Sequence, residues 1–155
     1  MLPSSEIVIA DTSCLILLSK IDQLDLLNVL GRQAVVTDII ANEFGHVLPH
    51  WISVAKAADV YYQLILEMEL DEGEASAIAL ALEKPNSVLI IDDLKGRRVA
   101  ERLRLDYSGT FGLILKAKQS GALKSIRPLI EKIERTDFRF STKLIETILR
   151  EAGEL

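Results

Sequence analysis

Aspartate follows two short apolar runs of this chain. Asp11 comes directly after residues 7–10, and Asp92 and Asp93 come directly after residues 88–91. Short apolar runs rich in β-branched residues are typical of central parallel strands that are buried on both faces. Ligands of open α/β sheets bind beyond the carboxyl ends of the strands, so these acids are expected at a functional edge. Carboxylates there predict a site for Mg²⁺ or Mn²⁺, which prefer oxygen ligands.

Two further acids are candidates for the same site. Glu43 lies on a helix predicted after the second strand, and Glu74 opens a helix predicted over about 72–83. A place on a solvated helix face is the alternative for Glu43. Asp71 stands three positions before Glu74, which is the spacing of a capping box. Both roles are compatible if Asp71 caps the helix while Glu74 points into the crevice.

Length and composition indicate one globular domain over residues 1–155. The chain has 155 residues, of which 49% are hydrophobic and 26% charged, and its net charge of −5 argues against a uniformly basic nucleic-acid surface. A local basic patch is still compatible with that charge. No apolar run approaches the ~20 residues of a membrane span, and the start lacks a signal-peptide pattern. We expect a cytoplasmic protein in which the single cysteine, Cys14, is a buried structural thiol.

Strand and helix signals alternate along the chain, which predicts an α/β fold with a parallel sheet and helices on both sides. Ser13 is a candidate cap of the first helix, and Thr37 with Asp38 opens a helix that stops at Gly45. Extended segments are predicted at about 6–11, 34–36, 49–54, 87–92 and 105–107. Helical patterns follow residue 11, extend through 24–30 to a cap at Gly31, and recur at about 37–45, 57–68, 72–83, 95–103, 110–120, 126–135 and 142–152.

The order and spacing of these features resemble the PIN domain family. The resemblance rests on Asp11 in IADTS, on Glu43, and on the strings LDEGEASAIALA, IDDLKGR and GTFG. The chain is similar both to VapC-like toxin ribonucleases and to a related prokaryotic PIN-like subfamily. It implies a single-domain, three-layer α/β/α fold with about five parallel strands in the order 3-2-1-4-5. The core would span about 6–120, with C-terminal helices at about 126–152.

The resemblance also implies an activity and its residues. It implies Mg²⁺- or Mn²⁺-dependent cleavage of RNA, with the protein as the toxin of a toxin–antitoxin pair that has a separate antitoxin partner. Glu74 stands where many members have aspartate, and Ile91 stands where a hydroxyl residue is commoner. Neighbouring strand residues point to opposite faces, so which of Asp92 and Asp93 meets the metal stays open. The implied catalytic residues are Asp11, Glu43, Glu74 and Asp93, and the implied metal ligands are Asp11, Glu43, Asp92 and Asp93.

Hydroxyl and basic residues complete the candidate site. Thr12, Ser13 and Thr110 are candidates for orienting carboxylates or waters, although Ser13 and Thr110 are equally candidates for helix caps. The basic residues after the aspartate pair are candidate phosphate contacts, and an ion pair between Arg97 and Glu101 is the alternative. These basic residues are Lys95, Arg97, Arg98 and Arg102.

Two other functions and one other state of assembly are alternatives to a catalytic monomer. Ile91 and Glu74 are compatible with a non-catalytic PIN-like module that binds RNA or protein. A phospho-acceptor receiver domain also carries strand-end aspartates, but residues 105–108 lack the lysine that it needs. The apolar stripes of the last two helices fit either the core or a homodimer interface.

His46 and His50 lie near a predicted loop, where a non-catalytic role is expected.

Overall fold

One all-parallel sheet forms the centre of the protein. The computed structural model describes residues 6–28 and 33–155. The strands pair in the order β3-β2-β1-β4-β5, so the predicted order is confirmed. Their bounds are β1 (Ile7–Ala10), β2 (Gln33–Thr37), β3 (Ile52–Ala55), β4 (Ser87–Ile90) and β5 (Tyr107–Ser108).

Helices connect the strands and extend the chain after the sheet. A 3-10 turn at Leu24–Leu27 stands where the sequence predicts the apolar stripe toward Gly31, and Gly31 itself lies outside the described residues. The helix predicted over 72–83 has those bounds, whereas the helix predicted over 57–68 is shorter. The helices are α1 (Thr12–Lys20), α2 (Asp38–Phe44), α3 (Val60–Leu66), α4 (Glu72–Glu83), α5 (Leu94–Arg102), α6 (Thr110–Gln119), α7 (Arg127–Glu134) and α8 (Thr142–Glu151).

The central strands are buried on both faces. Val8, Ile9 and Ala10 are all buried, although successive residues of a strand point to opposite sides, and every residue of β4 is buried. Helices therefore cover both faces, which confirms the three-layer α/β/α arrangement. Cys14 is fully buried on α1, and burial raises the pKa of its thiol, as expected for a structural cysteine.

Local side-chain bonds fix where helices begin and end. The Thr37 hydroxyl accepts a hydrogen bond from the Ile40 N–H at 3.1 Å, and Gly45 ends α2 with a φ of 71°. Both caps agree with the sequence prediction. The predicted caps at Ser13 and Thr110 are wrong, because Asp11 and Gly109 precede the first helical residues of α1 and α6.

The C-terminal segment is attached through Glu154. Its carboxylate accepts hydrogen bonds from the Lys118 ammonium at 2.9 Å, from the Ile126 N–H at 2.8 Å and from the Ser125 hydroxyl. Partial burial opposes ionisation, but these donors outweigh it and lower the pKa of Glu154 to about 2. The carboxylate therefore joins the chain end to the start of α7. No helix among residues 6–28 and 33–155 combines the length and apolar character needed to span a bilayer.

Glu154→Gln is expected to lower the melting temperature by about 3 °C or more at pH 7. The amide keeps the shape but weakens bonds that the charged carboxylate accepts. Because the folded pKa lies below the unfolded one, this stabilisation is present above about pH 4.5 and is lost as pH falls toward 2. Thermal unfolding at pH 7 and pH 3, with the exposed Glu151→Gln as control, tests it. Equal melting temperatures at pH 7 would contradict the role.

Candidate active site

An acidic cleft opens at the carboxyl end of β1. Its volume is about 290 Å³, and it contains the carboxyl groups of Asp11, Glu43, Asp71 and Glu74. Asp11 directly follows β1, Glu43 is in the last turn of α2, and the other two stand at the start of α4. The fold thus brings together three of the acids that the sequence singled out. It adds Asp71, for which the sequence indicated only a helix cap.

Asp11 is the most buried acid of the cleft. Its exposed fraction is 4%, and its side chain makes no capping bond to α1. Burial raises its pKa to about 7; a backbone hydrogen bond at Thr12 opposes the rise, and the charges of Asp71, Glu43 and Asp92 add to it. The carboxyl group is therefore poised to exchange its proton for another cation near neutral pH.

Glu43 is held across the mouth of the cleft by a neighbouring helix. The Thr12 hydroxyl donates a hydrogen bond to its Oε1 at 2.6 Å. A Cβ atom at Gly73 would lie 2.1 Å from the same oxygen, so the glycine leaves room for this carboxylate. The bond supports the carboxylate-orienting role that the sequence suggested for Thr12. Gly73 was not singled out, because only the folded chain brings α2 against α4.

Asp71 and Glu74 act together at the start of α4. The Asp71 carboxylate accepts a hydrogen bond from the Glu74 N–H at 2.8 Å, which is the predicted cap. The Glu74 side chain points into the same cleft, so both roles occur together. Its pKa is raised to about 8, first by burial and then by the charges of Asp71, Asp93 and Asp11.

Asp92 and Asp93 directly follow β4 and Ile91, and neither is among the described residues that line the acidic cleft. Asp92 accepts two hydrogen bonds from Thr110, from the N–H at 2.8 Å and from the hydroxyl at 2.5 Å. Asp93 is exposed and caps α5 by accepting the Gly96 N–H at 2.9 Å. The charge of Asp92 raises the pKa of Asp11, whereas that of Asp93 raises the pKa of Glu74. Both aspartates therefore contribute to the same negative field.

The chemistry of this cleft suits a divalent cation. The side chains that could bind a metal there are carboxylates, which offer oxygen ligands. Lys and Arg are absent from the described residues that line the cleft. Mutually repelling carboxylates of this kind are relieved by a bound Mg²⁺ or Mn²⁺. In the arrangement described for residues 6–28 and 33–155, no three Asp, Glu, His or Cys side chains converge closely enough to hold a metal together. Ser13 lines the cleft as well, half-buried beside Thr12.

The basic residues of α5 are divided between two surfaces. The Arg97 Nε donates to the Ile91 carbonyl at 2.9 Å, and its guanidinium lies 5.9 Å from the centre of the Tyr107 ring. Arg102 forms an ion pair with Glu69 at 2.8 Å. Within the described part of the chain, no ion pair joins Arg97 to Glu101. A separate open groove of about 490 Å³ contains Lys95, Arg98 and Arg102 with Glu69 and Glu101.

The two histidines lie away from these acids. The His46 ring packs edge-on against Phe44 with ring centres 5.3 Å apart, and His50 is exposed in the loop before β3. Neither is among the described residues that line the acidic cleft, and a non-catalytic role for both stays an expectation.

The parallel sheet and the acidic cleft at its carboxyl edge define an α/β protein with a candidate site beyond its strand ends. A family model described as a PIN domain matches residues 7–154. The chain therefore belongs to the PIN domain family, as its motifs predicted. PIN domains are generally nucleases, act on nucleic acids and typically use divalent metals. Neither the comparison with curated proteins nor the comparison with solved structures gave a match.

Proposed function

We propose that this protein is an endoribonuclease that depends on Mg²⁺ or Mn²⁺. The observation that carries the proposal is the buried Asp11 carboxyl, whose pKa of about 7 reflects burial and the surrounding acids. A carboxyl group in this setting costs stability once it ionises, unless a cation accompanies it. Metal binding at the carboxyl edge of this PIN domain would account for a carboxyl group that lowers the stability of the metal-free fold when it ionises.

The acids divide into ligands and a proton carrier. Asp11, Glu43, Asp92 and Asp93 are the ligands that the family resemblance implies, and they would have to move toward one another to hold the metal, because no three of the described acids converge. The metal would supply an activated water for attack on phosphorus. Glu74 lines the same cleft and would hold the proton that goes to the leaving oxygen.

Hydrogen bonds keep two of the carboxylates in position. The Thr12 hydroxyl donates to Glu43, and the Thr110 hydroxyl donates to Asp92. Rotation of either carboxylate would break its hydrogen bond. Ser13, which lines the same cleft, is the remaining hydroxyl available to orient water there.

Basic side chains of α5 provide the contacts to the RNA backbone. Lys95, Arg98 and Arg102 share one groove, and Arg97 lies on the side of β5. Cations beside an acidic centre offset its repulsion of phosphate. RNA as substrate and a toxin role with an antitoxin partner are part of this proposal and come from the sequence resemblance. A cytoplasmic location comes from the composition, and a homodimer comes from the apolar stripes of the last two helices.

A non-catalytic PIN-like module that binds RNA or protein is the second candidate. Two observations favour it: Ile91 is fully buried at the position where a hydroxyl residue is commoner, and the described acids do not converge three at a time. Metal binding separates the two functions, because only the nuclease requires it.

Chelation of the metal is expected to stop RNA cleavage. The wild-type protein should cleave a set of structured and single-stranded RNAs in millimolar Mn²⁺, lose that activity in EDTA, and regain it when excess Mn²⁺ is added. Calorimetric titration should show binding of Mn²⁺ that Asp11→Asn removes. Cleavage that persists unchanged in EDTA, or no Mn²⁺ binding at millimolar concentration, would overturn the proposed nuclease.

Thr110→Val is expected to reduce metal-dependent cleavage by about 10- to 100-fold, the usual cost of losing a bond that orients a metal ligand. Valine keeps the shape of the buried threonine but removes the hydroxyl that donates to Asp92. Thr147→Val, which removes a hydroxyl bonded to the Lys143 carbonyl on α8, is the matched control. Initial rates of both variants at saturating Mn²⁺ test this, and equal rates would argue against a fixed Asp92.

A further inference from the structure

A second cleft has Asp92 in its wall and shares none of its described lining residues with the acidic cleft. Its volume is about 390 Å³, and it lies between β5, α6 and α8. Asp92 forms part of its wall, and the charge of the same residue acts on Asp11. We call it the β5 cleft, and its polar and aromatic wall consists of Asp92, Arg97, Tyr107, Ser108 and Phe140.

Two glycines make room for polar groups of the β5 cleft wall. A Cβ atom at Gly109 would lie 2.2 Å from the Arg97 Nη2, and one at Gly112 would lie 2.1 Å from the Ser108 Oγ. Any larger residue would therefore displace the guanidinium or the hydroxyl from the wall.

The wall combines flat rings with a guanidinium. Tyr107 and Phe140 are both half-buried, so each ring presents a face or an edge to the cleft. Arg97 lies 5.9 Å from the Tyr107 ring centre, and Phe140 packs edge-on against Phe111 at 4.6 Å. Aromatic rings together with arginine and a hydroxyl are the set that proteins use to bind unpaired bases.

We propose that the β5 cleft binds one unpaired base of the RNA strand whose backbone passes the acidic cleft. The wall sets one cation, Arg97, against one carboxylate, Asp92, so a phosphate gains no net charge attraction there. A base, unlike a purely apolar ligand, can accept a further hydrogen bond from the Arg97 guanidinium, whose Nε already donates to the Ile91 carbonyl. The inference rests on the proposed function for the class of substrate, and it makes the cleft a determinant of which RNA sequences bind.

Binding in EDTA tests the cleft apart from cleavage. Fluorescence anisotropy should measure Kd for labelled RNA tetranucleotides of each single base. Tyr107→Leu, which keeps apolar volume but removes the ring, should weaken binding by about 5- to 100-fold, the range for loss of one stacked base. Tyr61→Leu is the matched control, since Tyr61 is 80% exposed on α3 away from both clefts.

A measurement on the wild-type protein removes any dependence on how the variant folds. Nucleoside monophosphates added without metal should shift the backbone amide NMR signals of Ser108, Gly109 and Gly112 more than those of α3. Shifts at these amides, with weaker binding by Tyr107→Leu, support the inference. Unchanged chemical shifts at these amides, or equal Kd values for Tyr107→Leu and the wild type, would overturn the inference. The occupant of the cleft would then be a side chain of a protein partner. Base binding without any cleavage in Mn²⁺ would sustain this inference while the nuclease proposal fails.

Discussion

Asp11→Asn is expected to lower manganese-dependent RNA cleavage by at least about 100-fold and to raise the melting temperature of the metal-free protein at pH 8. The loss of activity follows because a metal ligand should cost more than the 10- to 100-fold typical of its supporting residues. The gain in stability follows because the carboxyl group is 4% exposed and is surrounded by acids. An uncharged amide removes that repulsion and the burial of a charge.

The opposite signs of the two effects distinguish a functional residue from a structural one. Cleavage rates in Mn²⁺ and thermal unfolding in EDTA should be measured on the same preparations. Asp106→Asn, at an exposed aspartate before β5, provides the control and should change neither quantity. Retained cleavage would remove Asp11 from the site. A lower melting temperature at pH 8 would mean that the carboxylate serves the fold.

The free energy of unfolding of the metal-free protein is expected to fall by about 3 kcal/mol between pH 5 and pH 8 through Asp11 alone. The folded pKa is about 7 and the unfolded reference is 3.8. Between those values the folded state keeps a proton that the unfolded state has released. Stability from this group is therefore complete below about pH 3.8 and is lost as pH rises to 7. Glu74, whose pKa is raised to about 8, acts in the same direction.

Urea unfolding at several pH values in EDTA checks this dependence. Asp11→Asn should flatten it, because the variant lacks the titrating group, while Asp106→Asn should follow the wild type. Millimolar Mn²⁺ should restore stability at pH 8 in the wild type, since a ligand that binds only the folded state stabilises it. A wild-type protein that is more stable at pH 8 than at pH 5 in EDTA would disprove the burial of an uncompensated carboxyl group.

Local patterns predicted much of the fold. The β-branched runs before Asp11 and Asp92 indicated central strands because both faces of those strands are buried. Thr37 and Gly45 marked the two ends of α2 because caps are short-range bonds. The strand order came from the family resemblance, since neighbours such as β1 and β4 are far apart in the chain. The cap at Ser13 failed because α1 already begins at Thr12, so Asp11 occupies the cap position, although its side chain makes no capping bond.

Long-range packing determined what the sequence did not indicate. Asp71 was recognised as a cap of α4, but its place in the acidic cleft depends on how α4 meets β1 and α2. Arg102 pairs with Glu69, 33 residues away, and Arg97 turns toward β5. The space that Gly73 leaves for Glu43 depends on two helices that are distant in sequence. Spacing along a helix carries no information on such contacts.

Because Cys14 is completely buried, chemical labelling of its thiol can report local unfolding around α1. The only cysteine is shielded on α1, and burial together with the nearby charge of Asp92 keeps its thiol protonated. A thiolate is the reactive form, so an alkylating reagent modifies this side chain only after the helix leaves the sheet. The rate of labelling, read by mass spectrometry as one added group, therefore measures how often the molecule opens. Ligands of either cleft are expected to slow that labelling without any engineered probe.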